Sequence, residues 1–113
     1  MAARTAIPVT MADCCSVADA PVTEGLATEL AQAFAALGDP VRLRLFSLIA
    51  SAGTACSCNL VEPLGKSQPT VSHHTKVLAE AGLVTATRRG QNIWYAVAPE
   101  QVAALRAVLA PAG

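Results

Sequence analysis

The sequence predicts a small, mostly helical domain that carries one β-hairpin. Three observations predict this architecture. Apolar residues recur at helical spacing in segments that stop at glycine and proline, as at residues 38–40. A polar stretch with proline near its start, residues 67–74, follows a glycine turn and predicts the second helix of a helix-turn-helix. Two β-rich segments then flank a basic turn. The predicted order is helix, helix, helix-turn-helix, hairpin, helix, which is a winged helix-turn-helix.

The first two helices are predicted from apolar spacing and capping residues. The first begins at about Glu24 and ends at Gly38. For the second, Asp39 suits an N-cap and Pro40 the first helical position, and the helix should end near residues 51–53. Their apolar positions are Leu26, Leu30, Ala33, Phe34 and Leu37 in the first helix and Val41, Leu43, Leu45, Phe46, Leu48 and Ile49 in the second.

The next segments of the chain form the predicted DNA-reading helix-turn-helix, which we call the reader, and the wing. We expect a short third helix from about Cys56 to Leu64, a turn at 65–67, and a fourth helix with Pro69 in its first turn. Strands at 83–87 and 93–97 flank a turn at 88–92, and a last helix spans 99–109. Positions 71, 75 and 78 of the fourth helix should face the core. Candidate DNA contacts are Ser67, Gln68, Thr70, Ser72, His73 and Lys76 on the fourth helix and Arg88 and Arg89 on the wing.

Length and composition predict one domain with an N-terminal extension. A chain of 113 residues that is 53% hydrophobic can build one compact core but is short for two domains. Residues 1–24 contain two prolines and no sustained period, so we expect a flexible arm that carries Cys14 and Cys15, followed by the winged domain at 25–110. No segment has the roughly 18 consecutive apolar residues of a membrane span, and no secretory signal is recognisable. We expect a cytoplasmic protein with no membrane partner.

The charge is balanced overall but unevenly distributed. Eight basic and eight acidic residues give no net charge, which by itself argues weakly against a nucleic-acid partner. The half that holds the predicted reader is the basic one. Residues 63–113 carry Lys66, Lys76, Arg88, Arg89 and Arg106 against Glu80 and Glu100.

The four cysteines form two tight pairs, Cys14-Cys15 and Cys56-x-Cys58. In a reducing cytosol such pairs favour metal ligands or redox thiols over structural disulfides. Thiolates bind soft ions such as Cd(II), Pb(II) or Zn(II), or trivalent arsenic and antimony. In the first turn of a helix, positions 56 and 58 would ionise readily but face apart, so joint ligation would strain that turn. The alternatives are small buried side chains at 56 and 58 and an incidental pair at 14 and 15.

The sequence resembles the bacterial ArsR/SmtB family of metal-sensing repressors over roughly residues 26–109. The resemblance rests on residues 36–43 (Ala-Leu-Gly-Asp-Pro-Val-Arg-Leu), 55–60 (Ala-Cys-Ser-Cys-Asn-Leu), 67–74 (Ser-Gln-Pro-Thr-Val-Ser-His-His) and 81–84 (Ala-Gly-Leu-Val). The departures are Thr75, where similar proteins usually carry an apolar residue, and Asn59, where an acidic residue is common. The family implies a homodimer formed through the N- and C-terminal helices, an inverted-repeat operator in double-stranded DNA, and extra thiols from the arm.

The function that follows is a repressor in arsenic resistance that binds its operator in the apo form. As(III) or Sb(III) would release it by binding Cys14, Cys15, Cys56 and Cys58, since vicinal cysteines resemble those of actinobacterial arsenic-responsive members. A Cd(II)- or Pb(II)-sensing repressor with four thiolates and a thiol redox-switch repressor remain alternatives. Ligation by His73 and His74 is disfavoured, because adjacent helix positions diverge by about 100 degrees. No carboxylate pair, nucleophile-base arrangement or phosphate loop indicates an enzyme.

Overall fold

A computed structural model describes residues 16–110, so the predictions for Cys14 and Cys15 lie outside the described residues. Within this range the helices are α1 (Glu24–Leu37), α2 (Pro40–Ala52), α3 (Val61–Leu64), α4 (Gln68–Glu80) and α5 (Pro99–Leu109). The strands are β1 (Ala55–Cys56), β2 (Val84–Arg89) and β3 (Asn92–Val97), and a 3-10 turn occupies Ser57–Asn59. The predicted order of helices and hairpin is confirmed.

The helix boundaries form where the capping residues predict them. Thr23 Oγ1 accepts a hydrogen bond of 3.2 Å from the N–H of Leu26 at the start of α1. Asp39 Oδ2 accepts one of 3.1 Å from the N–H of Arg42 at the start of α2, where Pro40 fills the first position. Gly53 ends α2 with a φ of 82°, a conformation that glycine adopts without a steric penalty. Asp39 therefore acts as the predicted N-cap.

The sheet has the strand order β1-β3-β2, and both pairings are antiparallel. The hairpin register runs from Val84 opposite Val97 to Arg89 opposite Asn92. Gly90, with a φ of 64°, permits the tight turn between the strands. The predicted wing is confirmed, and β1 adds a third short strand on the other side of β3.

One core joins the helices and the base of the wing. Side chains from α2, α4 and α5 pack with residues 83 and 84 at the start of β2. Among the largest fully buried apolar ones are Leu45, Ile49, Val71, Leu78, Leu83, Val84 and Val108. Burial of Val71, Thr75 and Leu78 fixes which side of α4 faces inward, as the sequence predicts. The opposite face of α4 is therefore presented outward.

The prediction that a helix begins near Cys56 is wrong. Cys56 has extended backbone angles because it ends β1, where it lies opposite Trp94 of β3. A 3-10 turn follows it, and α3 begins only at Val61. Cys56 and Cys58 therefore do not share the first turn of a helix, and the strain expected from helical positions i and i+2 does not apply.

The first described residues are attached to the last helix. The N–H of Val17 donates to the carbonyl of Val108 at 2.7 Å, and Ser16 is 3% exposed. The Asp19 carboxylate accepts from the N–H and the hydroxyl of Ser16 at 3.4 and 3.2 Å. The chain that follows the vicinal cysteines is thus held against α5. Within residues 16–110, no helix is long and apolar enough to cross a membrane.

Candidate nucleic-acid interface and thiol turn

The outward face of α4 carries the side chains predicted to read DNA. Thr70 is half-buried, and the other five predicted residues are exposed: Ser67, Gln68, Ser72, His73 and Lys76. Their exposure follows from the helical period, since the buried positions 71, 75 and 78 recur every three or four residues. The face offers hydroxyl, amide, imidazole and ammonium groups along one side of a helix.

Hydrogen bonds order the start of this face. Ser67 is the N-cap of α4, accepting from the N–H of Thr70 at 3.4 Å and donating to Thr70 Oγ1 at 3.0 Å. Gln68 Nε2 donates to the hydroxyls of Ser57 and Ser72, both at 3.3 Å. Four polar side chains at the N-terminal end of the reader are therefore linked to neighbours within the protein before any partner binds.

Thr75 departs from the usual apolar residue without leaving an unsatisfied polar group. It is fully buried, and its hydroxyl donates to the carbonyl of Ser72 at 2.9 Å. This is the helix back-bond expected of a threonine within a helix. The described residues include no buried side-chain N or O atom that lacks a hydrogen-bond partner.

The wing places two guanidinium groups beside its turn. Arg88 and Arg89 are the last two residues of β2 and are exposed. The Arg89 guanidinium carbon lies 5.1 Å from the centroid of the Trp94 ring, within the range of a cation–π contact. The aromatic ring therefore restrains one positive charge at the tip of the wing.

Arg42 and His74 form a link between helices that the sequence analysis did not identify. Arg42 Nε donates to the carbonyl of Ala36 at 2.7 Å, and Nη2 donates to that of Ala35 at 3.5 Å, so the guanidinium caps the end of α1. Arg42 Nη1 also lies 3.3 Å from His74 Nδ1 on α4. No local sequence signal pairs these residues, which are 32 positions apart.

The pKa values of His74 and Asp39 are both shifted by the groups around this link. Burial lowers the pKa of His74 below its usual value, and the adjacent Arg42 charge lowers it further, against the opposing effect of Asp39. The hydrogen bond from the N–H of Arg42 holds the pKa of the Asp39 carboxyl below its usual value. A neutral His74 can accept a hydrogen bond at Nδ1 from the cationic Arg42.

The sulfurs of Cys56 and Cys58 meet in the thiol turn, which we define as residues 56–58. The structure pairs them as a disulfide, with Cα atoms 5.1 Å apart, although the sequence favoured ligands or redox thiols. Cys56 is fully buried, whereas Cys58 is exposed. Only the reduced form of the pair can ligate, because the thiolate is the ligand.

The thiol turn by itself does not complete a metal site. Residues 16–110 contain no group of three or more His, Cys, Asp and Glu side chains placed to hold a metal ion. A three- or four-ligand site that includes Cys56 and Cys58 therefore requires ligands from residues beyond this range or from a second subunit. Cys14 and Cys15 are the remaining cysteines of the chain.

Residues 39–86, from the N-cap of α2 into β2, match the family described as bacterial regulatory protein, arsR family. An uncharacterized HTH-type transcriptional regulator of Methanocaldococcus jannaschii is 40% identical over 72 residues, which cover 64% of this chain and 81% of that protein. The chain belongs to the ArsR family. A probable mercury resistance operon repressor of Streptomyces lividans is 40% identical over 90 residues, covering 80% of this chain and 70% of that protein. The arsenical resistance operon repressor of Staphylococcus aureus is 42% identical over 67 residues, covering 59% of this chain and 64% of that repressor.

Solved structures of ArsR-family regulators share the fold. The antimony-specific transcriptional repressor AntR superposes with a TM-score of 0.66 at 30% identity, covering 77% of this chain and 79% of that one. A homodimeric winged helix-turn-helix DNA-binding domain from Mycobacterium bovis gives a TM-score of 0.65 at 29% identity, with coverage of 79% and 84%. The predicted family and the winged helix-turn-helix fold are confirmed, and the relatives are transcriptional regulators rather than enzymes.

Proposed function

We propose that this ArsR-family protein is a cytoplasmic homodimeric repressor that binds an inverted-repeat operator when its thiols are unloaded. As(III) or Sb(III) releases it by binding to thiolates of Cys14, Cys15, Cys56 and Cys58. The observation that carries the proposal is the meeting of two cysteine sulfurs in the turn that leads into the helix-turn-helix. Names among the relatives agree with it, since they include an arsenical resistance repressor and an antimony-specific repressor.

The DNA-binding part rests on the chemistry of the exposed face of α4. In the major groove, Gln68 Oε1 can accept a hydrogen bond from a base donor such as adenine N6, while its Nε2 donates to Ser57 and Ser72. Ser67, Thr70, Ser72 and His73 offer further hydrogen bonds to base edges or phosphates. Lys76 on α4 and Arg88 and Arg89 on the wing supply the positive charge that phosphate contacts require.

The inducer part rests on the softness and number of the sulfurs. Trivalent arsenic takes three sulfurs in a pyramid, and the thiol turn offers two. Cys14 or Cys15 supplies the third sulfur, from the same subunit or across the dimer. No histidine or carboxylate is needed, because thiolates alone satisfy As(III) or Sb(III). A complete four-thiolate site would instead suit Cd(II) or Pb(II).

The two parts are coupled through the thiol turn. Ligation of Cys56 and Cys58 changes the geometry of the segment between β1 and α3, and α3 is the first helix of the helix-turn-helix. A coupling free energy of about 1–3 kcal/mol weakens operator binding by roughly 5- to 150-fold. This change is sufficient to empty an operator that is only moderately saturated.

The test is fluorescence anisotropy of the reduced protein on DNA from upstream of its own coding region, titrated separately with arsenite and Cd(II). We expect operator binding without metal and release at near-stoichiometric arsenite. Cys58→Ser is the preferred variant because Cys58 is exposed and its replacement spares the core. It should bind DNA as the wild type does and lose the arsenite response, whereas loss of metal-free DNA binding would assign Cys58 a structural role.

A Cys14→Ser/Cys15→Ser double variant tests the arm in the same assay. It should bind the operator normally and require much more arsenite for release, because the thiol turn alone offers two sulfurs. Release of the wild type by Cd(II) and not by arsenite would favour the four-thiolate sensor. Unchanged arsenite release by the double variant would exclude the arm from the site.

A second candidate function is a thiol redox switch, which the paired sulfurs of Cys56 and Cys58 favour. Two thiols and one hydroperoxide give a disulfide, an alcohol and water, so the thiols lose two electrons and the peroxide bond gains them. Release of the reduced protein from DNA by peroxide, with no response to arsenite, would select this function over metalloid sensing. Dithiothreitol should then restore binding.

A further inference from the structure

Ser57 joins the thiol turn to the first residue of the DNA-reading helix. Its Oγ accepts a hydrogen bond from Gln68 Nε2 at 3.3 Å, and the same nitrogen donates to Ser72 Oγ at 3.3 Å. A glutamine amide nitrogen carries two hydrogens, so both bonds can form together. We infer that Ser57 is the positioning residue through which the thiol turn sets the orientation of Gln68, an inference that rests on the proposed function.

The structure determines which part of the thiol turn moves when both sulfurs take up a ligand. Cys56 is fully buried and is fixed in the sheet opposite Trp94. Cys58 is exposed, and once the disulfide is reduced its remaining contacts are local: its N–H donates to Cys56 Sγ at 3.1 Å, and its Sγ lies 3.8 Å from Asn59 Oδ1. Because the sheet restrains Cys56, the adjustment falls on the two residues that follow it.

Ligand binding acts on both of these local contacts. A metalloid bound to Cys56 Sγ of the reduced pair competes with the N–H of Cys58 for the sulfur lone pairs, and ligation draws Cys58 Sγ away from its position 3.8 Å from Asn59 Oδ1. Ser57 lies between the two ligands, so reorganisation of the turn carries its hydroxyl with it. The bond to Gln68 Nε2, already 3.3 Å long, breaks when that hydroxyl moves away.

Breaking this bond lowers DNA affinity because Gln68 is no longer held in one orientation. In the structure the bonds to Ser57 and Ser72 restrain a long, exposed side chain before it meets DNA. A glutamine held by Ser72 alone samples more orientations and must be ordered at the moment of binding, which costs conformational entropy. The net contribution of one neutral hydrogen bond corresponds to about a 2- to 12-fold change in affinity per subunit.

Ser57→Ala tests the inference, with Ser57→Thr as the conservative variant that keeps a hydroxyl. Ser47→Ala is the matched control, because it removes an exposed hydroxyl from α2. We expect Ser57→Ala to bind arsenite as the wild type does, followed by the ultraviolet absorption of the arsenic–thiolate bonds. Its metal-free operator affinity should fall by about 2- to 12-fold per subunit while its arsenite-loaded affinity stays unchanged, so the ratio of the two shrinks. Ser57→Thr should restore the ratio.

A double-mutant cycle with Gln68→Ala separates this role from a general effect on folding. If Ser57 acts through Gln68, then Ser57→Ala causes no further loss of operator affinity in a Gln68→Ala background. Additive losses overturn the inference, and so does an equal loss of affinity in the metal-free and loaded states. If arsenite fails to release the wild type, the proposed function fails, yet the cycle on metal-free affinity still decides whether Ser57 positions Gln68.

Discussion

Replacing Arg42 with alanine should destabilise the domain far more than replacing its neighbour Arg44. Arg42 closes the end of α1 through its 2.7 Å bond to the carbonyl of Ala36 and reaches α4 through its 3.3 Å contact with His74. Arg44 makes one exposed hydrogen bond of 3.3 Å, to the carbonyl of Pro63. The two substitutions remove the same side chain from the same helix, so their difference isolates the contacts of Arg42.

The expected magnitude follows from the contacts that each substitution removes. A hydrogen bond from a charged donor contributes about 1.5–3 kcal/mol, and a cation at a helix C-terminus adds about 0.3–1 kcal/mol. The 3.5 Å bond from Arg42 to the carbonyl of Ala35 is at the limit of the geometry and adds little. Because Arg42 is half-buried, we take the lower part of these ranges and expect Arg42→Ala to cost about 2–3 kcal/mol. Arg44→Ala should cost less than about 1 kcal/mol.

Urea denaturation followed by circular dichroism measures both variants at one fixed protein concentration, since association changes apparent stability. With a slope near 2 kcal/mol per molar urea, Arg42→Ala should lower the midpoint by about 1–1.5 M. The slope itself should not change. Equal destabilisation by the two substitutions would refute the assignment of Arg42 as the link between α1 and α4.

Three further predictions concern the core, pH and salt. Thr75→Leu should cost about 1–3 kcal/mol in urea denaturation, because the site is fully buried and filled by a shorter side chain, whereas Thr75→Val should stay within about 1 kcal/mol. The pKa of His74 is lowered in the folded state, so below pH 6.5 the unfolded chain binds more protons than the folded one. The free energy of unfolding is therefore unaffected by His74 above pH 6.5, and it decreases as the pH falls from 6.5 toward the folded-state pKa. In the wild type, the urea midpoint should therefore fall between pH 7.5 and 5.5, and His74→Asn should remove this part of the fall. Replacement of the exposed His73 with Asn is the control, and an equal change in both variants would contradict the role of burial. A plot of log operator affinity against log salt concentration should be less steep for Arg88→Ala, by about 0.9 for each phosphate that the variant no longer neutralises. Arg106→Ala on α5 should leave the slope unchanged. Fluorescence anisotropy at several salt concentrations measures both.

Much of the fold could be predicted because its signals are local. The N-cap at Asp39, the proline at the first position of α2 and the period of three or four on α4 depend on residues close in sequence. The same period predicts which side of α4 is exposed, so the exposed residues of that side could be named from the sequence alone. The burial of Thr75 was also predictable, and its back-bond to Ser72 explains how the core accommodates it.

The rest depends on contacts between segments distant in sequence. The sequence around Cys56 predicts the start of a helix, but in the folded protein residues 55 and 56 pair with β3 and form a strand instead. The Arg42 contact with His74 and the Gln68 contact with Ser57 likewise need the packed fold to bring their partners together. The contacts of the candidate residues with DNA and metalloid stay predictions.

The two-residue strand β1 holds one of the proposed thiol ligands in the sheet, apart from the exposed face of α4. Its pairing with β3 uses main-chain atoms, so position 56 keeps its place in the sheet with any small side chain. Position 58 is exposed and tolerates exchange without repacking the core. In the repressor that we propose, substitutions at these two positions would alter which ion is bound while every residue on the exposed face of α4 remains the same. If the proposed function holds, such a regulator can acquire a new chemical signal and keep its old target genes, and an engineer can reprogram it in the same way.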